Sequence, residues 1–154
     1  MRRALAVLVL VSLSGCGELH RYLESGPVGW RLRREVRAKG ASTIRLADLT
    51  MFEWDEVFLF DPYTPRSAVC TALALPESDC PDAVTGESTD DAVMYIAFRK
   101  SGAFVHGEMH FRKHGDFTPV PNGPIRRTDA VFRIERSGTG WHRLVLASSP
   151  DPEG

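Results

Sequence analysis

The stretch DAVMYIAFRKSGAFVHGEMHFRK, Asp91 to Lys113, decides the fold. Two apolar-rich segments flank Ser101-Gly102, a dipeptide suited to a two-residue hairpin turn. Counting outward from that turn without interruption sets Phe98 opposite Val105, Met94 opposite Met109 and Ala92 opposite Phe111. One face of the hairpin is then wholly apolar, which supports the register. The other face carries His106, Glu108 and His110 at alternate positions, with Tyr95 across from Glu108. Alternate strand residues point the same way, so these three side chains can converge on a divalent metal. The competing reading is a solvated polar face, the usual partner of an apolar one in an antiparallel sheet. HGEMH is not the H-E-x-x-H zinc motif, because its glutamate is one place late and the segment reads as a strand. No fourth ligand is evident, since His114 lies past the strand end and His142 sits elsewhere.

Downstream, AVFRIERSGTGWHRLVLA, Ala130 to Ala147, reads as a second hairpin. A two-residue loop would place Ile134 opposite Arg143. A three-residue loop at Gly138-Thr139-Gly140 pairs Ile134 with Leu144, Phe132 with Leu146 and Glu135 with Arg143, and is preferred. Between the hairpins FTPVPNGPIRR, with its prolines and Asn-Gly pair, is a loop with at most a short edge strand. Upstream, STIRLADL alternates and reads as a strand, and the unbroken apolar run Val57 to Phe60 suits a central strand covered on both faces. Asp61-Pro62-Tyr63 then turns the chain, Thr64 stands at an N-cap and Pro65 at the first helical position. A helix to about Leu73 would bury Ala68, Val69 and Ala72 and carry Cys70. Pro76 to Asp91 reads as an exposed acidic loop. VGWRLRREVRAKG, Val28 to Gly40, reads as a helix anchored by Trp30, Leu32 and Val36 and stopped at Gly40. The sum is an α+β domain: an antiparallel sheet of about five or six strands with one or two helices packed on one face.

The amino terminus, MRRALAVLVLVSLSGCGELH, has two arginines, an apolar run from Ala4 to Val11 and small residues before a cysteine. The run is well short of the roughly 20 apolar residues that span a bilayer, so it reads as a secretory signal. Leu13-Ser14-Gly15-Cys16 resembles the lipobox of bacterial lipoproteins. The resemblance implies a signal peptide at 1–15 and lipid on Cys16. GELHRYLESGP lacks clear periodicity and ends at Gly26-Pro27, so 16–27 reads as the lipidated cysteine and a tether, and the length left suits one domain over 28–150 with a tail at 151–154. An ordinary signal peptide, with Cys16 as a structural cysteine, is the alternative. Gly17 in place of Asp favours the outer membrane over the inner in a two-membrane cell, with the domain facing the periplasm. Cys70 and Cys80 then remain as an even pair in an oxidising compartment and are expected to be disulfide-bonded. Their spacing is not that of a C-x-x-C redox or metal pair.

Removing Arg2 and Arg3 from the 19 Lys and Arg leaves 17 against 20 Asp and Glu. Such a balance argues against nucleic acid, whose binders carry a basic excess. The cations of the first helix, Arg31, Arg33, Arg34, Arg37 and Lys39, outnumber Glu35. They fit either contact with anionic head groups or a solvated helix face.

The combination W-D-x-V-x-x-F-x-P-Y-T-P, Trp54 to Pro65, after Leu46-Ala47-Asp48-Leu49-Thr50, resembles a segment of small, functionally uncharacterised bacterial secreted or lipid-anchored proteins. That resemblance spans about twenty residues and implies no activity or cofactor. Physically, Trp54 reads as core, Asp55 as a cap or a bridge of a backbone turn and Pro62 to Pro65 as aiming the next helix. Alternatively Trp54, Asp55, Tyr63 and Thr64 line a rim that meets a partner.

No serine lies in a G-x-S-x-G elbow, SGTGWHR opens no helix, and the carboxylates Glu53, Asp55 and Glu56 show no common cleft. The preferred expectation is a lipid-anchored, non-catalytic binding or accessory module that meets the membrane through its lipid and an envelope protein as partner. The alternative is a metal-dependent hydrolase built on His106, Glu108 and His110. A lipid or small-molecule carrier would need a pocket under a helix.

Overall fold

Val57, Phe58, Leu59 and Phe60 lie in a strand with a neighbour on each side, as an apolar run without alternation requires. The computed structural model describes residues 25–138 and 140–147. Cys16, the lipobox and the expected C-terminal tail lie outside the described residues.

In chain order the elements are helix α1 (Pro27–Arg37), strand β1 (Thr43–Arg45), a 3-10 turn (Leu46–Leu49), β2 (Glu56–Phe60), α2 (Arg66–Ala72) and α3 (Cys80–Ala83). There follow β3 (Val93–Lys100), β4 (Ala103–Phe111), a second 3-10 turn (Arg112–His114), β5 (Ile125–Arg126), β6 (Val131–Glu135) and β7 (Arg143–Leu146). The expected antiparallel α+β architecture is present, with its strands divided between two sheets. One has the order β4-β3-β2-β5 and the other β1-β6-β7. All strand pairs are antiparallel.

The four-stranded sheet is covered on both faces. On one, Val57, Leu59, Met94, Ile96 and Phe98 pack with Val28, Leu32 and Val36 of α1 and with Ile44, Phe132 and Leu144 of the three-stranded sheet. On the other, Phe58, Tyr95 and Ala97 pack with Val69, Cys70, Leu73, Cys80 and Val84 around α2 and α3. The helices thus lie on opposite faces. The Cys70–Cys80 disulfide joins the two short ones, as expected.

The second hairpin has the expected register, Phe132 opposite Leu146, Ile134 opposite Leu144 and Glu135 opposite Arg143. The first does not. Ser101 and Gly102 form the expected two-residue turn, with φ of 49° and 80°. Pairing holds for Lys100 with Ala103 and Arg99 with Phe104, then shifts at a β-bulge, so that Phe98 faces His106, Ile96 faces Glu108 and Met94 faces His110. Val105 is the extra residue and stands 41% exposed. Uninterrupted counting had put Val105 inside and Tyr95 opposite Glu108; Tyr95 in fact faces Met109. The bulge arises because both sheet faces are buried: it sends Gly107 and Met109 to the α2 and α3 face, where Phe104 already lies. Gly107 makes room there for Tyr95, whose hydroxyl end a Cβ would overlap.

Smaller departures have local causes. STIRLADL is a strand only over Thr43–Arg45, because Leu46 and Leu49 bury one side of a 3-10 turn, where i and i+3 align. Pro65, not Thr64, is the N-cap of α2, and the Thr64 hydroxyl instead donates to the Asp61 carbonyl at 2.8 Å. Ala68 and Ala72 are exposed, leaving Val69, Cys70 and Leu73 to face the core. The acidic loop contains α3 and buries Val84 and Ser88. Helix α1 ends at Arg37, where Arg136 donates to the carbonyls of Val36, Ala38 and Ala41 at 2.9–3.0 Å.

Candidate functional site

The inward turn of β4 places His106, Glu108 and His110 beneath α1 instead of in solvent. Helix α1 begins with Gly26 and Pro27, has no side-chain cap of its own and carries no acid in its first turn. Its orphan amides therefore need an acceptor from elsewhere. Glu108 supplies it: Oε1 accepts from the Gly29 N–H at 2.7 Å and Oε2 from the Val28 N–H at 3.2 Å. His106 Nε2 lies 2.8 Å from Glu108 Oε2. A buried carboxylate that receives several hydrogen bonds at a positive helix end is electrostatically compensated. The backbone makes room, since a Cβ on Gly26 would lie 2.3 Å from Glu108 Oε2.

His110 is bound differently. Its Nε2 donates to the Gly115 carbonyl at 2.7 Å, while Nδ1 is buried without a hydrogen-bond partner among the described residues. Burial pushes its pKa down, against a smaller upward pull from the Gly115 carbonyl, so the ring is neutral. Next to it, His114 Nδ1 lies 3.3 Å from the buried Ser25 hydroxyl. Burial, then the neighbouring His110, Arg33, Lys113 and Arg37, lowers His114 to about 4. A Cβ on Gly29 would meet Ser25 Oγ at 2.5 Å and His110 Nδ1 at 2.9 Å. Thus the His-x-Glu-x-His face is brought together with the start of α1, with His106 bonded to Glu108, Glu108 also to the Val28 and Gly29 amides, and His110 to the Gly115 carbonyl. Among the described residues, no group of three or more His, Cys, Asp or Glu side chains is placed to hold a metal ion. Sequence reasoning missed Ser25, Gly26 and Gly29. The available signal was a proline-led helix with two glycines and no capping side chain of its own.

Trp54, Asp55, Tyr63 and Thr64 do not meet on one surface. Trp54 is 1% exposed, stacked edge-on against Phe98 with 5.1 Å between centroids, and its Nε1 donates to Thr50 Oγ1 at 2.8 Å. Asp55 bridges a turn, its Oδ2 accepting from the Ser101 N–H at 2.7 Å. Tyr63, 55% exposed with φ of 64°, and Thr64 lie beyond the far end of β2. Nor do the nearby carboxylates share a cleft: Glu56 pairs with Arg99 at 2.6 Å, and Glu53 with Arg127 at 3.4 Å and Lys100 at 3.7 Å.

A different feature does open to solvent. Between α1 and the Arg112–His114 turn is a pocket of about 200 Å³ lined by Trp30, Arg33, Arg37, Phe111, Lys113 and His114. Trp30, Arg33 and Arg37 share one face of the helix at i, i+3 and i+7. The Arg33 guanidinium sits 4.8 Å from the Trp30 ring centroid, and Trp30 packs 5.0 Å from the His114 ring. Comparison with protein-family models, curated proteins and solved structures finds no match to this chain.

Proposed function

We propose that this chain is a lipid-anchored binding or accessory module of a bacterial cell envelope, held at the membrane through Cys16 and acting on another envelope component without catalysis of its own. The observation that carries the non-catalytic part is the bonding of Glu108 to the Val28 and Gly29 amides. The residue best suited to act as metal ligand or general base is thereby engaged in holding a helix. The envelope part is supported by the lipobox-like Leu13-Ser14-Gly15-Cys16 and by the Cys70–Cys80 disulfide, which suits an oxidising compartment. Gly17 favours the outer membrane, with the domain on the periplasmic side.

Anchoring is tested by expressing the full chain and its Cys16→Ser variant with labelled fatty acid, then fractionating membranes. The wild type is expected to carry label and sediment with the outer membrane, and the variant to do neither. A variant that still carries lipid by mass spectrometry contradicts the anchor. Crosslinking in intact cells tests the partner, and reproducible capture of one envelope protein is the expected result.

A further inference from the structure

Helix α1 and the turn after β4 bring three cations to one opening without a compensating acid among the described residues. Arg33, Arg37, Lys113 and His114 line it with Trp30 and Phe111, and no carboxylate is among the described residues that line it. Arg33 and Arg37 form no ion pair with a described residue, in contrast to Arg99 with Glu56 or Arg112 with Asp116. The chain has acids to spare, 20 against 19 Lys and Arg, so this local imbalance is not a consequence of composition. The Arg33 guanidinium carbon sits 4.8 Å from the Trp30 ring centroid, a cation–π contact that holds the group beside the ring. Lys113 is similarly placed over Phe111, its Nζ 4.3 Å from the ring centroid. These contacts orient the cations before any ligand arrives, lowering the ordering cost of binding.

We propose that this pocket binds a phosphate group, carried by an anionic lipid head group or by a free phosphate. The walls supply planar guanidinium forks and an ammonium, the donors that match tetrahedral phosphate oxygens. A volume of about 200 Å³ falls below the few hundred Å³ of pockets that enclose drug-sized ligands, so the site takes a compact anionic group. His114 adds a neutral imidazole at the base, discharged at pH 7 partly by the same cations. A bound anion reverses that field and raises the His114 pKa.

The lipid source rests on the proposed membrane anchoring; the free-phosphate source does not, so failure of one is distinguishable from failure of the other. The full chain is titrated with inorganic phosphate at physiological salt, the His114 imidazole being followed by NMR. It is then examined in bicelles of phosphatidylcholine with and without phosphatidylglycerol. The pocket variant is Arg33→Gln with Lys113→Gln. A charge-matched control is Arg126→Gln with Arg133→Gln, whose guanidinia face Asp129 and Glu135 elsewhere. Saturable phosphate binding that raises the His114 pKa and weakens at least ten-fold in the pocket variant alone supports a free-phosphate site. The same response only with phosphatidylglycerol supports a head-group site. Equal weakening in both double variants reduces the effect to surface charge, and no saturable response to either probe leaves the pocket without a ligand. Either of those results overturns the proposal. Circular dichroism establishes that both variants are folded.

Discussion

On one face of the four-stranded sheet α1 is fastened by Glu108, a buried carboxylate from β4; on the other, α2 and α3 are fastened by the Cys70–Cys80 bond. The difference follows from length. Helix α1 has eleven residues, enough turns to present Val28, Leu32 and Val36 as an apolar stripe, and its remaining need is an acceptor for its first amides. Helices α2 and α3, with seven and four residues, are too short to hold themselves by helical hydrogen bonding, and a covalent link stands in for the missing turns. The first face is therefore held by a hydrogen-bond acceptor, and the second by a covalent bond that depends on redox conditions.

The sharpest way to break this comparison is to remove the acceptor. Glu108→Ala leaves two buried amides and His106 without their carboxylate and is expected to cost about 4 kcal/mol, read from urea denaturation. A loss below about 1 kcal/mol would mean that the carboxylate does not hold α1. Changing both Cys70 and Cys80 to Ser is expected to cost about 3 kcal/mol by the chain-entropy estimate for a short loop. Hydrogen exchange should then accelerate first in α2 and α3, with α1 still protected; uniform acceleration would show that the two faces are not separately fastened.

A smaller effect is expected from pH. His110 and His114 have lowered folded-state pKa values, so both bind protons more readily in the unfolded chain. Their stabilising contribution is present above the ordinary value of 6.5 and is lost as the pH falls below it, for His114 down to about 4. Denaturation midpoints between pH 7 and pH 4 should fall in the wild type. The fall should be shallower in His114→Gln. The smallest change is expected from Arg136→Ala, which frees three carbonyls at the exposed C-terminal end of α1 and should cost about 1 kcal/mol.

The same comparison explains what was legible in the sequence. The disulfide follows from cysteine parity, and the unbroken Val57 to Phe60 run announces a strand covered twice. The Ile134–Leu144 register follows from choosing the loop that matches apolar residues and a charge pair. Glu108 was visible as part of an alternating polar row, but its direction was not, because one bulged residue, Val105, reverses every side chain after it. That reversal is set by the cover on each face, α1 on one and Phe58, Tyr95 and the short helices on the other, which lies far off in sequence. The helical half of the pocket, Trp30, Arg33 and Arg37, could be read from their spacing. Lys113 and His114 join it only through the bulged strand that carries them to α1.

The most direct measurement is amide hydrogen exchange by NMR at Val28 and Gly29, in the wild type and in Glu108→Gln. If Glu108 caps α1, both amides exchange slowly in the wild type, and at least one accelerates ten-fold or more in the variant while the β2 amides stay unchanged. Fast exchange in the wild type, or rates at both positions unaffected by the substitution, would contradict the account.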